Sequence, residues 1–294
     1  MSDDGTPADG NGRGDIYYYT THQRRRRVDR DLTGRLIILG SGTSQGVPMI
    51  GCACSVCRSD DPRDRRTRAG AIFGLPEGNL LIDTSPDLRE QLIRESSGRV
   101  HAVASTHGHA DHLLGLDELR IFAVALRRHL PIYCTEEVES QIRRVFSYAF
   151  DDKVHRFQPG GVPKLEIRRI EPGRPFDVLG ASVTPIPLLH GLTGACGFRV
   201  GAMAYCIDAH EVPESSYPLL EGLDTLVLDG LRWLPHVSHL SIYQALAVIR
   251  RVAPRRAFLT DICHHLGHKE TQAELPARVR VAYDGMVLKL IDHR

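Results

Sequence analysis

Three imidazoles and one carboxylate stand within the seven residues Thr106-His107-Gly108-His109-Ala110-Asp111-His112, directly after the apolar run Val103-Ala104-Ser105. A strand feeding such a loop can aim these side chains at two adjacent points, and neutral imidazole beside a carboxylate suits zinc, manganese or iron. Three later apolar runs each end in one more donor: His190 after Pro187-Leu188-Leu189, Asp208 after Ala204-Tyr205-Cys206-Ile207, and Asp261 after Phe258-Leu259-Thr260. With His107, His109, Asp111 and His112 they make a set suited to two ions at one edge of the sheets. Two metals roughly 3.5–4 Å apart lower the pKa of a bridging water and neutralise charge in an in-line displacement, which fits phosphoester hydrolysis. Asp111 is the candidate for orienting the attacking water. A leaving alkoxide also needs a proton, and His239, in Pro235-His236-Val237-Ser238-His239-Leu240 just before a helical pattern, is the candidate donor.

A different donor chemistry lies upstream. Cys52-Ala53-Cys54-Ser55-Val56-Cys57 places three sulfurs too close together to pair sensibly as structural disulfides. Three thiolates need one more ligand to close a tetrahedral zinc, and His264, three residues past Asp261, is the candidate fourth. A redox-active trio is the rival reading. The segment just before it, Gly40-Ser41-Gly42-Thr43-Ser44-Gln45-Gly46, is not a dinucleotide fingerprint, because Gly46 falls one residue late and no helix pattern opens there.

Short apolar runs at 36–39, 71–73, 79–82, 102–105 and 131–134 read as strands, with helical patterns at 86–94 and 136–150, the second carrying Val138, Ile142, Val145 and Phe146 on one face. The second half repeats the style at 165–170, 181–189, 197–200, 204–207, 225–228, 256–260 and 287–291, with a helix over 241–252 placing Ile242, Leu246 and Ile249 together. Two β-rich halves with helices predict two sheets packed face to face and covered outside by helices, an α/β fold. Residues 1–33, rich in Gly, Asp and Arg and including Arg24-Arg25-Arg26-Arg27, read as a disordered tail ahead of one domain over 34–294.

The chain has 294 residues, of which 42% are hydrophobic, enough for a substantial core, and its 37 basic and 36 acidic side chains nearly cancel. Nothing in that balance pulls toward nucleic acid or membrane, and no apolar run approaches the roughly 20 residues of a membrane span. Seven cysteines, three of them crowded, fit a reduced, cytoplasmic protein. A small substrate is expected as the partner, and a homodimer is compatible with the sequence.

The His-x-His-x-Asp-His loop with its later His and Asp residues resembles the metallo-β-lactamase superfamily over about 36–290. The resemblance implies a four-layer αββα sandwich with His107, His109 and His190 on one metal, Asp111 and His112 on the second, and Asp208 bridging. The last ligand of the second metal is usually His in that family; here the matching position is Asp261, an oxygen donor that favours manganese over zinc, with His264 or His265 reaching inward as the alternative. Together with the first loop and Cys-x-Cys-x-x-Cys, the stretches Val183 to His190, Ser238-His239, Leu259 to His264 and Tyr283-Asp284-Gly285-Met286 resemble the phosphoribosyl cyclic phosphodiesterase family, the accessory hydrolases of the carbon–phosphorus lyase pathway. That likeness implies hydrolysis of a ribose cyclic phosphate or similar diester, with His239 as the acid and Cys52, Cys54, Cys57 and His264 on a structural zinc. The alternatives are a transfer-RNA 3′-processing endonuclease, a hydrolase of carbonyl esters or lactones, and a binding protein that kept the fold without turnover. Endonucleases of this kind carry a protruding basic Gly/Pro-rich arm, and the sequence shows no such insertion.

Overall fold

The computed structural model describes residues 30–157 and 160–290. The basic run at 24–27 and most of the expected tail lie outside the described residues. Leu32, read from sequence as tail, is 1% exposed and packs with Ile37 and Leu39.

Two seven-stranded sheets carry the fold. The first contains β1 (Arg35–Gly40), β2 (Gly70–Leu75), β3 (Gly78–Ile82), β4 (Ala102–Ala104), β5 (Leu130–Cys134) and β6 (Leu165–Arg169). The second contains β7 (Phe176–Val178), β8 (Ala181–His190), β9 (Thr193–Val200), β10 (Met203–Cys206), β11 (Thr225–Asp229), β12 (Arg256–Thr260) and β13 (Val279–Val281). The last strand, β14 (Val287–Lys289), returns to the first sheet, giving the orders β14-β1-β2-β3-β4-β5-β6 and β13-β12-β11-β10-β9-β8-β7. Each sheet is antiparallel on one side and parallel on the other, with the change at β3 and at β10.

Why the central strands read as continuous apolar runs follows from the layers. Leu36 and Ile38 face the second sheet, packing with Phe198, Tyr205 and Phe258, while Ile37 and Leu39 face outward into the cluster of Leu88, Leu92, Val138 and Ile142. The second sheet does the same, with Val227 inside and Leu226 and Leu228 outside against the helix Ile242–Val252. A strand buried on both faces needs no polar alternation. Helices outside two facing sheets make the αββα sandwich that the sequence predicts.

The helices correct two details. In Ile242–Val252 the fully buried stripe is Ile242, Ala245, Val248 and Ile249, with Leu246 only partly covered. Its start is set by a capping box, Ser241 Oγ accepting from Gln244 N at 3.3 Å while Gln244 Oε1 accepts from Ser241 N at 2.9 Å, an arrangement worth about 1 kcal/mol. The helix expected over 136–150 stops at Val145, and the chain tightens into a 3-10 turn, Ser147–Phe150. That change of pitch buries Phe146 and leaves Val145 46% exposed.

Candidate metal centre

Six strands deliver side chains to one edge of the sandwich. Asp83 follows β3, the loop from Thr106 to His112 follows β4, His190 ends β8, Asp208 stands two residues past β10, Asp229 ends β11, and Asp261 follows β12. All are carboxyl ends, the edge at which open α/β sheets present their sites.

Two groups of donors meet there. His109 Nδ1 lies 2.9 Å from His107 Nε2 and 3.1 Å from His190 Nε2, so three imidazole nitrogens converge on one point. Beside it His112 Nε2 is 3.2 Å from Asp111 Oδ2 and 3.2 Å from Asp208 Oδ2. His107 belongs to both groups, its donor atom lying close to those of His112 and Asp208 as well. His109 is exposed and Asp111 half-buried, while His107, His112, His190 and Asp208 are buried. The site therefore has a closed floor and one open side.

The other ring nitrogens are held from behind. His107 Nδ1 is 2.9 Å from Thr106 Oγ1, His190 Nδ1 is 2.8 Å from the Ser238 carbonyl, and His112 Nδ1 is 2.9 Å from Asp83 Oδ2. Such partners fix both ring orientation and tautomer. Asp83 is itself locked by Thr106, whose N and Oγ1 donate to it at 2.8 Å each. Burial, and next the charge of His112, hold the His107 imidazole well below the usual histidine range, and burial lowers His190. Both are thus neutral with lone pairs facing inward. Burial acts against the charged form of His112 too, but Asp208 and Asp83 outweigh it and raise the ring well above its ordinary value. For Asp208 the cost of burial is outweighed by His112, and its carboxylate is held far below the usual range.

This donor set fits divalent cations. Converging imidazole lone pairs about 3 Å apart repel one another unless a cation lies between them, and Asp208 Oδ2 is buried without a hydrogen bond.

His239 stands one step further out. Its Nε2 is 4.0 Å from Asp208 Oδ1, and its Nδ1 is 2.9 Å from Asp229 Oδ2 and 2.9 Å from Asp261 Oδ2. Asp229, His239 and Asp261 make a further set of donor atoms close enough to hold an ion, beside the set of His107, His112 and Asp208, and His239 also groups with His190 and Asp208. Burial, and then Asp208, raise the Asp261 carboxyl; burial likewise raises Asp229, whereas the two carboxylates outweigh burial at His239 and raise it.

The second cluster forms from one loop and one distant residue. The donor atoms of Cys52, Cys54, Cys57 and His264 lie within 4.8 Å of one another, with His264 Nδ1 3.3 Å from Cys52 Sγ and 3.5 Å from Cys54 Sγ. The Cys57 N–H and His264 beside it lower the Cys54 thiol to about 6, whereas burial pushes Cys57 up to about 11. Arg66, fully buried, ties the two parts together, bonding Asp64 at 2.7 Å, the Cys263 carbonyl at 3.1 Å and the Leu266 carbonyl at 2.8 Å.

The fold, the two-group centre and the matching pattern now coincide. Residues 78–262 match the model of the beta-lactamase superfamily domain. The chain belongs to the beta-lactamase superfamily, with the metallo-β-lactamase αββα fold. A solved diphosphatase of the PhnP family superposes with a TM-score of 0.80 at 38% identity, covering 86% of this chain and 96% of that one. An octanoyltransferase of Porphyromonas gingivalis is 35% identical over 255 residues, 86% of this chain, of which the chain spans 51%. The coenzyme PQQ synthesis protein B of Methylorubrum populi is 30% identical over 226 residues, 66% of this chain and 72% of that protein. Zinc-bound PqqB from Methylobacterium extorquens, at 22% identity and a TM-score of 0.69, shares the fold. Among the described residues no helix is long and apolar enough to cross a membrane.

Asp83 and Asp229 are the site residues that sequence reasoning missed. The signal was present, since each terminates an apolar strand as Asp208 and Asp261 do; Asp83 follows Leu80-Leu81-Ile82 and Asp229 follows Leu226-Val227-Leu228.

Proposed function

We propose that this hydrolase cleaves a small phosphodiester, in which a ribose cyclic phosphate is the best-fitting class. The observation that carries the reading is the three-imidazole group placed directly against a group of two carboxylates and one imidazole, with an untethered Nε2 of His239 facing them. His107, His109 and His190 would hold one divalent ion, Asp111 and His112 the second, and Asp208 would bridge. Ions held there supply the acidity that makes water a nucleophile at neutral pH and the positive charge a phosphoryl oxygen requires.

The remaining work falls to the chain's own groups. Asp111, with one oxygen toward His112, offers its other oxygen to orient the incoming water. That water's oxygen forms the new bond to phosphorus as the ester P–O bond breaks. His239 passes its Nε2 proton to the departing alkoxide, its Nδ1 being fixed by a hydrogen bond to Asp229. One imidazole and two carboxylates at the second position favour a hard ion such as manganese. Cys52, Cys54, Cys57 and His264 would close around a zinc that holds the first loop in place, in keeping with a centre with no open side. The 38% identical diphosphatase supports phosphorus over carbon as the reacting centre.

Two rivals are weaker on specific grounds. A transfer-RNA endonuclease grips its substrate with a basic arm, and among the described residues no insertion of that kind leaves the sandwich. A thioester expels a thiolate that leaves without a proton, so a thioester hydrolase would make no use of His239 held by its two carboxylates.

The test is a substrate panel with protein reloaded with manganese or zinc: a ribose cyclic phosphate, cyclic nucleotides, bis(4-nitrophenyl) phosphate, a phosphomonoester, a thioester and a lactone. Diester turnover well above the other classes is expected. Preference for the thioester or lactone would replace this reading with the carbonyl one, and no turnover of any diester would leave the binding-protein alternative.

A further inference from the structure

Asp261, expected from the sequence as an oxygen ligand of the second metal, has surroundings that assign it different work. Three strand-end aspartates adopt the left-handed backbone that side-chain-bearing residues avoid: Asp83 at φ 62°, Asp208 at φ 50° and Asp261 at φ 62°. That conformation costs about 1 kcal/mol, so each is held there by what its carboxylate reaches. Asp83 reaches the Nδ1 of His112 at 2.9 Å. Asp208 reaches the donor atoms of His107 and His112. Asp261 reaches the Nδ1 of His239, at 2.9 Å, and gathers with Asp229 and His239.

The geometry points to Asp261 as a positioning residue that, with Asp229, clamps the ring of His239 so that Nε2 faces the substrate, and not as a ligand of the second metal. One N–H at Nδ1 cannot satisfy two carboxylates along its own axis. Asp229 takes that hydrogen bond and also accepts from the Ala209 N–H at 2.9 Å, so it is anchored from two sides. Asp261 Oδ2 is equally close to Nδ1, at 2.9 Å, and is buried. It blocks rotation of the ring away from Asp208 by charge and contact. Both carboxylates are 2% exposed or less, so no water competes for the imidazole. With Asp261 engaged behind His239, the residues that would hold the second ion are Asp111, His112 and Asp208.

This inference rests on the phosphodiesterase reading for its kinetic half only. Asp261→Asn and His239→Gln are compared with the parent by metal analysis and by turnover of two diesters, one with a 4-nitrophenolate leaving group and one with an alkoxide. Asp261→Asn should retain the parent's full metal content. Its turnover should fall about tenfold or more on the alkoxide substrate, and less than about threefold on the nitrophenyl one, which departs without a proton. His239→Gln should show the same split, larger. Loss of one equivalent of metal from Asp261→Asn would overturn the proposal, as would equal losses on both substrates. Should the parent cleave neither diester, the phosphodiesterase reading fails alone, and the metal content of Asp261→Asn still decides whether that residue is a ligand.

Discussion

The two donor clusters of this hydrolase are joined by four residues, Asp261-Ile262-Cys263-His264, and are built on opposite principles. At one end of that segment, donors come from the ends of strands in both sheets, and most are buried and braced by a second residue: Thr106 behind His107, Asp83 behind His112, the Ser238 carbonyl behind His190. At the other end, three donors come from one irregular loop and the fourth from His264, with Cys52, Cys54 and His264 only half-buried. The strand-end cluster has its donors braced from behind and leaves one side open. The loop cluster has no strand beneath it and depends on its own closure. Between them Ile262 is pinned by its N–H to the Ser41 carbonyl at 2.9 Å, so the loop and the active edge share an anchor. The contrast is the one expected if the first cluster takes reacting ions and the second a structural one, as proposed above.

Substitutions should break the two clusters differently. Asp208→Ala removes the carboxylate proposed to bridge the two ions; both active-site ions should be lost and diester turnover should fall by about a thousandfold or more, measured with metal analysis on the same sample. Asp83→Asn leaves every inward-facing donor in place and removes the negative charge behind His112. The expected loss is about 10- to 100-fold in metal affinity, read by competition with a chelating dye.

Acidity sharpens the same contrast. In the metal-free protein His112 carries a proton across neutral pH, because Asp208 and Asp83 outweigh burial and raise it well above its ordinary 6.5. Its contribution to the stability of the metal-free fold is present below the unfolded value and disappears as pH rises through the folded one. A metal must displace that proton, so affinity should strengthen about tenfold per pH unit between roughly 6 and 7.5, with one proton released in calorimetry run in two buffers. The smallest effect on chemistry belongs to the other cluster. Cys54→Ser should cost one zinc and about 5–10 °C of melting temperature while turnover changes less than about threefold. A loss of activity with the zinc retained would make Cys54 a reactive thiol instead.

Much of this arrangement was legible in the chain because the donors interrupt apolar runs. His190 and Asp208 stand out at strand ends, and the cluster from His107 to His112 is dense enough to be read alone. Doubly buried strands such as Leu36 to Leu39 are equally plain, since both faces demand apolar residues. What stayed hidden depends on direction. Asp83, Asp229 and Asp261 share one sequence signal, an acid closing an apolar strand, yet each meets the back of a ring, Asp83 and Asp261 from a left-handed backbone and Asp229 from the strand itself. Sequence spacing reports where such a carboxylate is anchored and not which face of an imidazole it meets. Val145 shows a related lesson in a helix: the period placed it with Val138 and Ile142, but the helix ends there and Val145 stays 46% exposed.

The most direct test of the whole account is metal analysis of fully active, manganese- and zinc-reconstituted protein beside its phosphodiester turnover. The account predicts two divalent ions lost together in Asp208→Ala, one further zinc lost in Cys54→Ser, and turnover that follows the first two. Full turnover with a single active-site ion, or unaltered metal content in Asp208→Ala, would contradict it.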